Sequence, residues 1–83
     1  MSVSIADELK YVQSTTLRRL RLSRNLTLRQ VSIKAYVATG FLSDLESGRK
    51  NASPSTLAAL LQCYGLTTDD WYKEQHFTHI GKA

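Results

Sequence analysis

The chain has 83 residues, 42% of them hydrophobic, with eleven Lys and Arg against seven Asp and Glu and a single cysteine. That length holds one domain with a modest core, and the apolar fraction excludes a disordered chain. No apolar run is long enough to span a bilayer, MSVSIADELK lacks the basic and apolar regions of a signal peptide, and Cys63 alone makes no internal disulfide, so a cytoplasmic protein away from membranes is expected.

Ile5, Leu9 and Val12 fall at spacings of four and three, one stripe of a helix. Ser4 is placed to cap it, with Asp7 three residues on. This segment forms its own helix, runs on into the next one, or is a flexible arm. The next helix covers Thr15 to Arg24, with Leu17 and Leu20 inward, Arg18, Arg19 and Arg24 outside the core, and Arg21 on the face of Leu17. Asn25 suits the left-handed turn that closes a helix, with Leu26 as its apolar contact. Thr27 and Gln30 make a capping box for another helix that buries Val31 and Ala35.

The turn AYVA, with Val37 as its apolar plug, leads into a helix from Thr39 to Ser47. Burying Leu42 and Leu45 leaves Thr39, Gly40, Ser43 and Asp44 on the opposite side, and Gly48 ends the helix. RKNAS is an exposed basic loop. Ser53 and Pro54 start a helix with a broad apolar face of Leu57, Leu60, Leu61 and Tyr64, stopped by Gly65. Thr67 with Asp70 opens a last helix containing Trp71 and Tyr72, while the tail HFTHIGKA has no clear period. The expected fold is all-α, a compact bundle of about five helices in one domain, 1–83: an N-terminal helix or arm (1–13), a core (14–75) and a tail (76–83).

Charge divides along the chain. Lys10 to Lys50 carries nine cations against Asp44 and Glu46, a net of +7, whereas the remainder nets −3. Such asymmetry points the basic half at a polyanion, the bland alternative being a solvated helix face. Two short helices joined by a tight turn within that half are how a small protein places one of them in the DNA major groove.

The segment from Leu17 to Trp71 resembles the helix-turn-helix domain shared by the phage lambda and 434 repressors, Cro and the xenobiotic-response-element regulators. The likeness is carried by LRRLR, LTLRQVS, the corner Val37, FLSDLESGRK and SPSTLAALLQCYGLTTDDW. GFLSDLESGRK resembles in particular a small branch of these regulators that includes the Clp gene regulator of actinobacteria. The resemblance implies that the 39–47 helix enters the major groove, with Thr39, Gly40, Ser43 and Asp44 at base edges and Phe41 beside sugar carbons or a thymine methyl. Thr27, Arg29 and Gln30 at the start of the preceding helix would meet a phosphate, and Arg49, Lys50 and Asn51 would hold the backbone beyond. Arg21 and Glu46 match a structural ion pair.

The chain departs from that pattern at three places. Leu28 replaces a frequent glutamine, Tyr36 the usual turn glycine, and Ala38 the usual hydroxyl cap, a loss of about 1 kcal/mol unless Thr39 substitutes. None of the base-facing side chains makes the bidentate contacts of Arg with guanine or Gln with adenine, so DNA shape is expected to contribute much of the specificity.

The function expected is a sequence-specific double-stranded-DNA-binding regulator of phage or bacterial type, a repressor acting as a homodimer. The alternative is an antitoxin or adaptor that uses the same fold to hold a protein partner. An enzyme is not expected, because no Ser/His/Asp grouping, carboxylate pair or phosphate-cradling glycine loop is present. No cofactor or metal is expected either, since His76 and His79 are two ligands in a tail and Cys63 is a small core residue. Trp71, Tyr72, Phe77 and Ile80 either close the core or form the dimer surface, with the Ser4–Gln13 segment as the competing dimer contact.

Overall fold

The computed structural model describes residues 4–82, and residues 1–3 and Ala83, the ends of the expected N-terminal and tail segments, lie outside the described residues. The helices are α1 (Ile5–Ser23), α2 (Leu28–Ala35), α3 (Thr39–Ser47), α4 (Pro54–Tyr64) and α5 (Thr68–Lys82), joined by connections of three to six residues.

Of the three readings of the N-terminal segment, the continuous helix is the one observed. No Gly or Pro interrupts residues 5–23, and Ser4 Oγ accepts from the Asp7 amide at 3.1 Å. The expected stripe is only partly used, however: Val12 is buried while Ile5 and Leu9 stay exposed. At the first turns of α1 the contact with α5 is polar, His79 Nδ1 lying 3.8 Å from Glu8 Oε1, and Leu9 lines an open groove with Asn51. At the other end Asn25 takes φ 55° and the Leu26 amide reaches back to the Arg21 carbonyl at 3.2 Å, the expected left-handed closure.

The tail is helical as well. α5 runs antiparallel to α1, with Thr78 opposite Thr16 and Glu74 opposite Arg19. The seam between them is polar: the buried hydroxyls of Thr16 and Thr78 lie 2.6 Å apart, each also within reach of a carbonyl one turn earlier in its own helix, so one hydroxyl donates to the other while its partner donates to its own carbonyl. A helix that docks through a threonine rather than a leucine has no apolar period to betray it.

The core joins Leu17 and Leu20 of α1, Val31 and Ala35 of α2, Leu42 and Leu45 of α3, Leu60, Leu61 and Tyr64 of α4, and Trp71 of α5. Val37, Leu57 and Cys63 pack against it, partly buried. Gly48, at φ 80°, lets α3 end in a left-handed turn beside α1, where an added Cβ would stand 3.5 Å from Ser14 Oγ. Tyr36 takes φ 57° and ψ 42° without glycine's freedom. A side chain there costs about 1–2 kcal/mol. The turn still closes, because the amides of Tyr36 and Val37 both reach the Ser32 carbonyl and the 93% exposed ring clashes with nothing.

Candidate nucleic-acid interface

Three elements set the site: the start of α2, the outer face of α3, and the loop that follows α3. The start of α2 is fixed by its capping box, in which the Gln30 amide donates to Thr27 Oγ1 at 3.1 Å and the Thr27 amide to Gln30 Oε1 at 2.8 Å. Both expected phosphate contacts are thus committed as acceptors, but the Thr27 hydroxyl proton and the Gln30 side-chain NH2 remain available as donors. Arg29 is exposed beside them. Positive charge and open amides at a helix N-terminus both favour an anion.

α3 starts without a side-chain cap. Ala38 has none to offer and Thr39 does not substitute, so the first-turn amides keep the deficit expected from the sequence. Thr39, Gly40 and Ser47 are exposed, and Ser43 and Asp44 are partly so. An added Cβ at Gly40 would meet nothing within 4 Å, so no packing requirement accounts for glycine there. Ser43 opens into a groove shared with Arg18, Leu28, Glu46 and Ser47. Phe41 is partly buried, packing against the core with the Lys50 ammonium 5.5 Å from its ring centre.

The acid of α3 is engaged. Asp44 Oδ1 lies 2.9 Å from Arg49 Nε and its Oδ2 lies 3.4 Å from Lys50 Nζ, while the Asp44 carbonyl accepts from both of their amides. The hydrogen bond from Arg49 holds the Asp44 carboxyl below the usual carboxylate range against the opposing effect of burial, and Lys50 adds to the lowering. Asn51 is exposed beyond them, and the loop is tied to α1 by the Ala52 amide donating to Gln13 Oε1 at 3.2 Å.

The expected Arg21–Glu46 pair is formed and bidentate, at 2.8 and 2.9 Å. Arg21 Nη1 also donates to the Leu26 carbonyl at 2.8 Å, so one guanidinium ties α1, the turn before α2, and α3. The side chains are 12% and 9% exposed, and the hydrogen bond to Glu46 raises the Arg21 pKa further above its already high value.

The structure sorts Arg18, Arg19 and Arg24, which the sequence left equivalent. Arg19 pairs with Glu74 at 2.8 Å and also reaches the Glu74 carbonyl, joining α5. Arg24 donates to the carbonyls of Tyr64 and Leu20 and lies 5.6 Å from the Tyr64 ring centre, holding the C-terminal end of α4. Arg18 alone of the three faces the groove beside Ser43. Ser47 is a second groove residue absent from the sequence reading, although its spacing of four from Ser43 was a usable signal.

Away from this surface, Trp71 is 4% exposed and belongs to the core. Its expected share in a dimer surface is therefore corrected to core closure, since a ring so deeply packed has no face left for a partner. Tyr72, Phe77 and Ile80 are exposed and, with Lys73 and His76, line one apolar groove along α5. Among the described residues no helix is long and apolar enough to cross a membrane, and no three His, Cys, Asp or Glu side chains converge as metal ligands would.

Comparison with known proteins agrees with this geometry. Residues 14–71 match the family profile described as a helix-turn-helix domain. The HTH-type transcriptional regulator DdrOP3 of Deinococcus deserti is 44% identical over 54 residues, 65% of this chain and 42% of that protein. The transcriptional regulator ClgR of Mycobacterium tuberculosis is 45% identical over 49 residues, 59% of this chain and 44% of its own length. The chain thus matches less than half the length of either regulator. The crystal structure of the Clp gene regulator ClgR from Corynebacterium glutamicum superposes with a TM-score of 0.81 at 30% identity, covering 89% of this chain and 79% of that one. The family match spans the five-helix core from α1 into α5, including the capped α2, the left-handed turn and α3, and on that ground the chain belongs to the helix-turn-helix domain family, a DNA-binding rather than an enzymatic fold of the kind carried by transcriptional regulators.

Proposed function

We propose that this chain is the DNA-binding domain of a sequence-specific regulator of double-stranded DNA, a repressor that occupies an operator as a homodimer with α3 in the major groove. The observation that carries the reading is the sorting of charge. Arg19, Arg21 and Arg24 are tied to partners on other helices, whereas Arg18 lines the groove beside Ser43, Arg49 and Lys50 follow α3 with Asp44 of that helix as their acid, and Arg29 stands exposed at the start of α2. A helix face of small residues framed by cations suits a groove floor between two phosphate walls. Thr39, Gly40, Ser43 and Asp44 are the base-facing positions in this reading, and Thr27, Arg29, Gln30, Arg49, Lys50 and Asn51 meet the backbone. Phe41, with Lys50 over its ring, is the position beside sugar carbons or a thymine methyl.

One such module offers few contacts, so useful affinity needs two copies on half-sites about one helical turn apart. The exposed apolar face of α5 supports that role for Tyr72, Phe77 and Ile80. A regulator of this kind works in the cytoplasm, where its DNA is. Hydroxyl-radical footprinting on the DNA flanking its own gene tests the reading. Two protected patches about one turn apart on one duplex are expected, together with a dimeric mass that Phe77→Glu converts to a monomer. An absence of protection, with a protein partner recovered instead on the α5 face, would favour the adaptor or antitoxin reading.

A further inference from the structure

Asp44 is an anion on the very surface assigned to a polyanion, and it is the residue that ties down two of the cations there. Its carboxylate takes Arg49 Nε at 2.9 Å through one oxygen and Lys50 Nζ at 3.4 Å through the other, and Lys50 is further held over the Phe41 ring at 5.5 Å. Arg49 and Lys50 are exposed along most of their length, 66% and 55%, so burial does not force this arrangement. Their flexible stems let both heads swing away if something offers them a better anion and offers Asp44 a donor.

Resting on the operator-binding reading above, we propose that Asp44 is a specificity gate: it withholds Arg49 and Lys50 from phosphates on non-cognate DNA and releases them only when a base-edge amino group takes their place. On an arbitrary duplex, freeing the two cations leaves a bare carboxylate facing the groove, which repels the nearby phosphates and has lost its own hydrogen bonds. The cations therefore stay divided between Asp44 and the phosphates, and backbone affinity is low. Where the site presents the N4 amino group of a cytosine, the major-groove donor that an aspartate accepts from, the carboxylate is satisfied. Arg49 and Lys50 then pass wholly to the backbone. A short side chain without a bidentate contact thus makes non-specific binding conditional on base identity. Selectivity arises by weakening the wrong complex as much as by strengthening the right one.

The substitution that isolates the gate is Asp44→Asn, which keeps the shape and can still hydrogen bond to a base but carries no charge. The full chain is titrated against duplex from the flank of its own gene and against scrambled duplex of equal length and composition, at several salt concentrations. Asp44→Asn is expected to bind scrambled duplex about tenfold more tightly than wild type, to lower the ratio of flanking to scrambled affinity, and to steepen the salt dependence on scrambled DNA by about one to two counterions, the release expected for one or two added phosphate contacts. Arg49→Gln placed on the Asp44→Asn background should remove about half of that extra slope. Thermal melting of both variants, expected to stay cooperative because Arg49 is exposed and Asp44 partly so, separates a binding effect from misfolding. Unchanged affinity and slope on scrambled duplex, with selective binding by wild type intact, would overturn the gate and leave the operator reading standing. Binding of DNA by neither protein would overturn both.

Discussion

Replacing Arg21 with methionine removes a guanidinium while keeping an apolar stem of similar length. In the native chain that guanidinium gives two hydrogen bonds to Glu46 and one to the Leu26 carbonyl. After the change the Glu46 carboxylate, 9% exposed, has lost both donors and cannot turn freely to water. Removing one partner of a fully buried pair costs about 3–5 kcal/mol. With slight access to solvent here, about 3 kcal/mol is expected, a large share of the roughly 4–12 kcal/mol typical of a chain this size. Glu46→Leu should cost a similar amount by stranding Arg21. The double variant leaves only the Leu26 carbonyl short of a partner, about 1–2 kcal/mol, so the two single losses should be far from additive. Urea denaturation with linear extrapolation measures all three. Single losses under about 1 kcal/mol, as for a surface pair, or an additive double variant, would refute the view that this bridge positions α3 against α1.

Three further outcomes follow from the local geometry. Ala38→Ser should stabilise the fold by about 1 kcal/mol, because φ −59° and ψ 138° already suit a cap and no side chain serves one; an unchanged urea midpoint would contradict this. Gly40→Ala should raise stability by about 0.5 kcal/mol, as expected in the first turn of a helix with open space around the new methyl, yet weaken binding to operator DNA at least tenfold; unchanged binding would take Gly40 off the DNA face. Asp70, held below the usual carboxylate range by the Thr67 amide and hydroxyl, contributes stability that is present above the ordinary value of 3.8 and is lost as pH falls through its lower folded value. Asp70→Asn should therefore flatten the acid limb of a stability-versus-pH profile and leave the neutral plateau level apart from a constant offset.

The α2–α3 unit was legible because its signals are local. The capping box at Thr27 and Gln30, the plug Val37, the spacing of Leu42 and Leu45, and the stop at Gly48 all lie within one or two turns of what they determine. The Arg21–Glu46 pair, though 25 residues apart, came from the family resemblance and not from periodicity. What stayed hidden depended on distant or polar partners. The continuation of α5 through the tail rests on a threonine pair 62 residues apart that carries no hydrophobic pattern. Arg19 and Arg24 looked like candidates for DNA because nothing in their neighbourhood shows that their partners are Glu74 and the carbonyl of Tyr64. Trp71 carried two readings until the packing of α5 onto the core removed one. The bond from Asp44 to Arg49 spans the end of α3, where helical spacing no longer applies.

The central claim, that the cations around α3 serve a sequence-selective DNA surface, is tested most directly by titrating the protein against the DNA flanking its own gene and against scrambled duplex across a range of salt. Selective binding that weakens steeply with salt, with selectivity lost on changing Thr39 and Ser43 to alanine, is the expected result. Weak binding, equal on both duplexes and indifferent to those two residues, would contradict it.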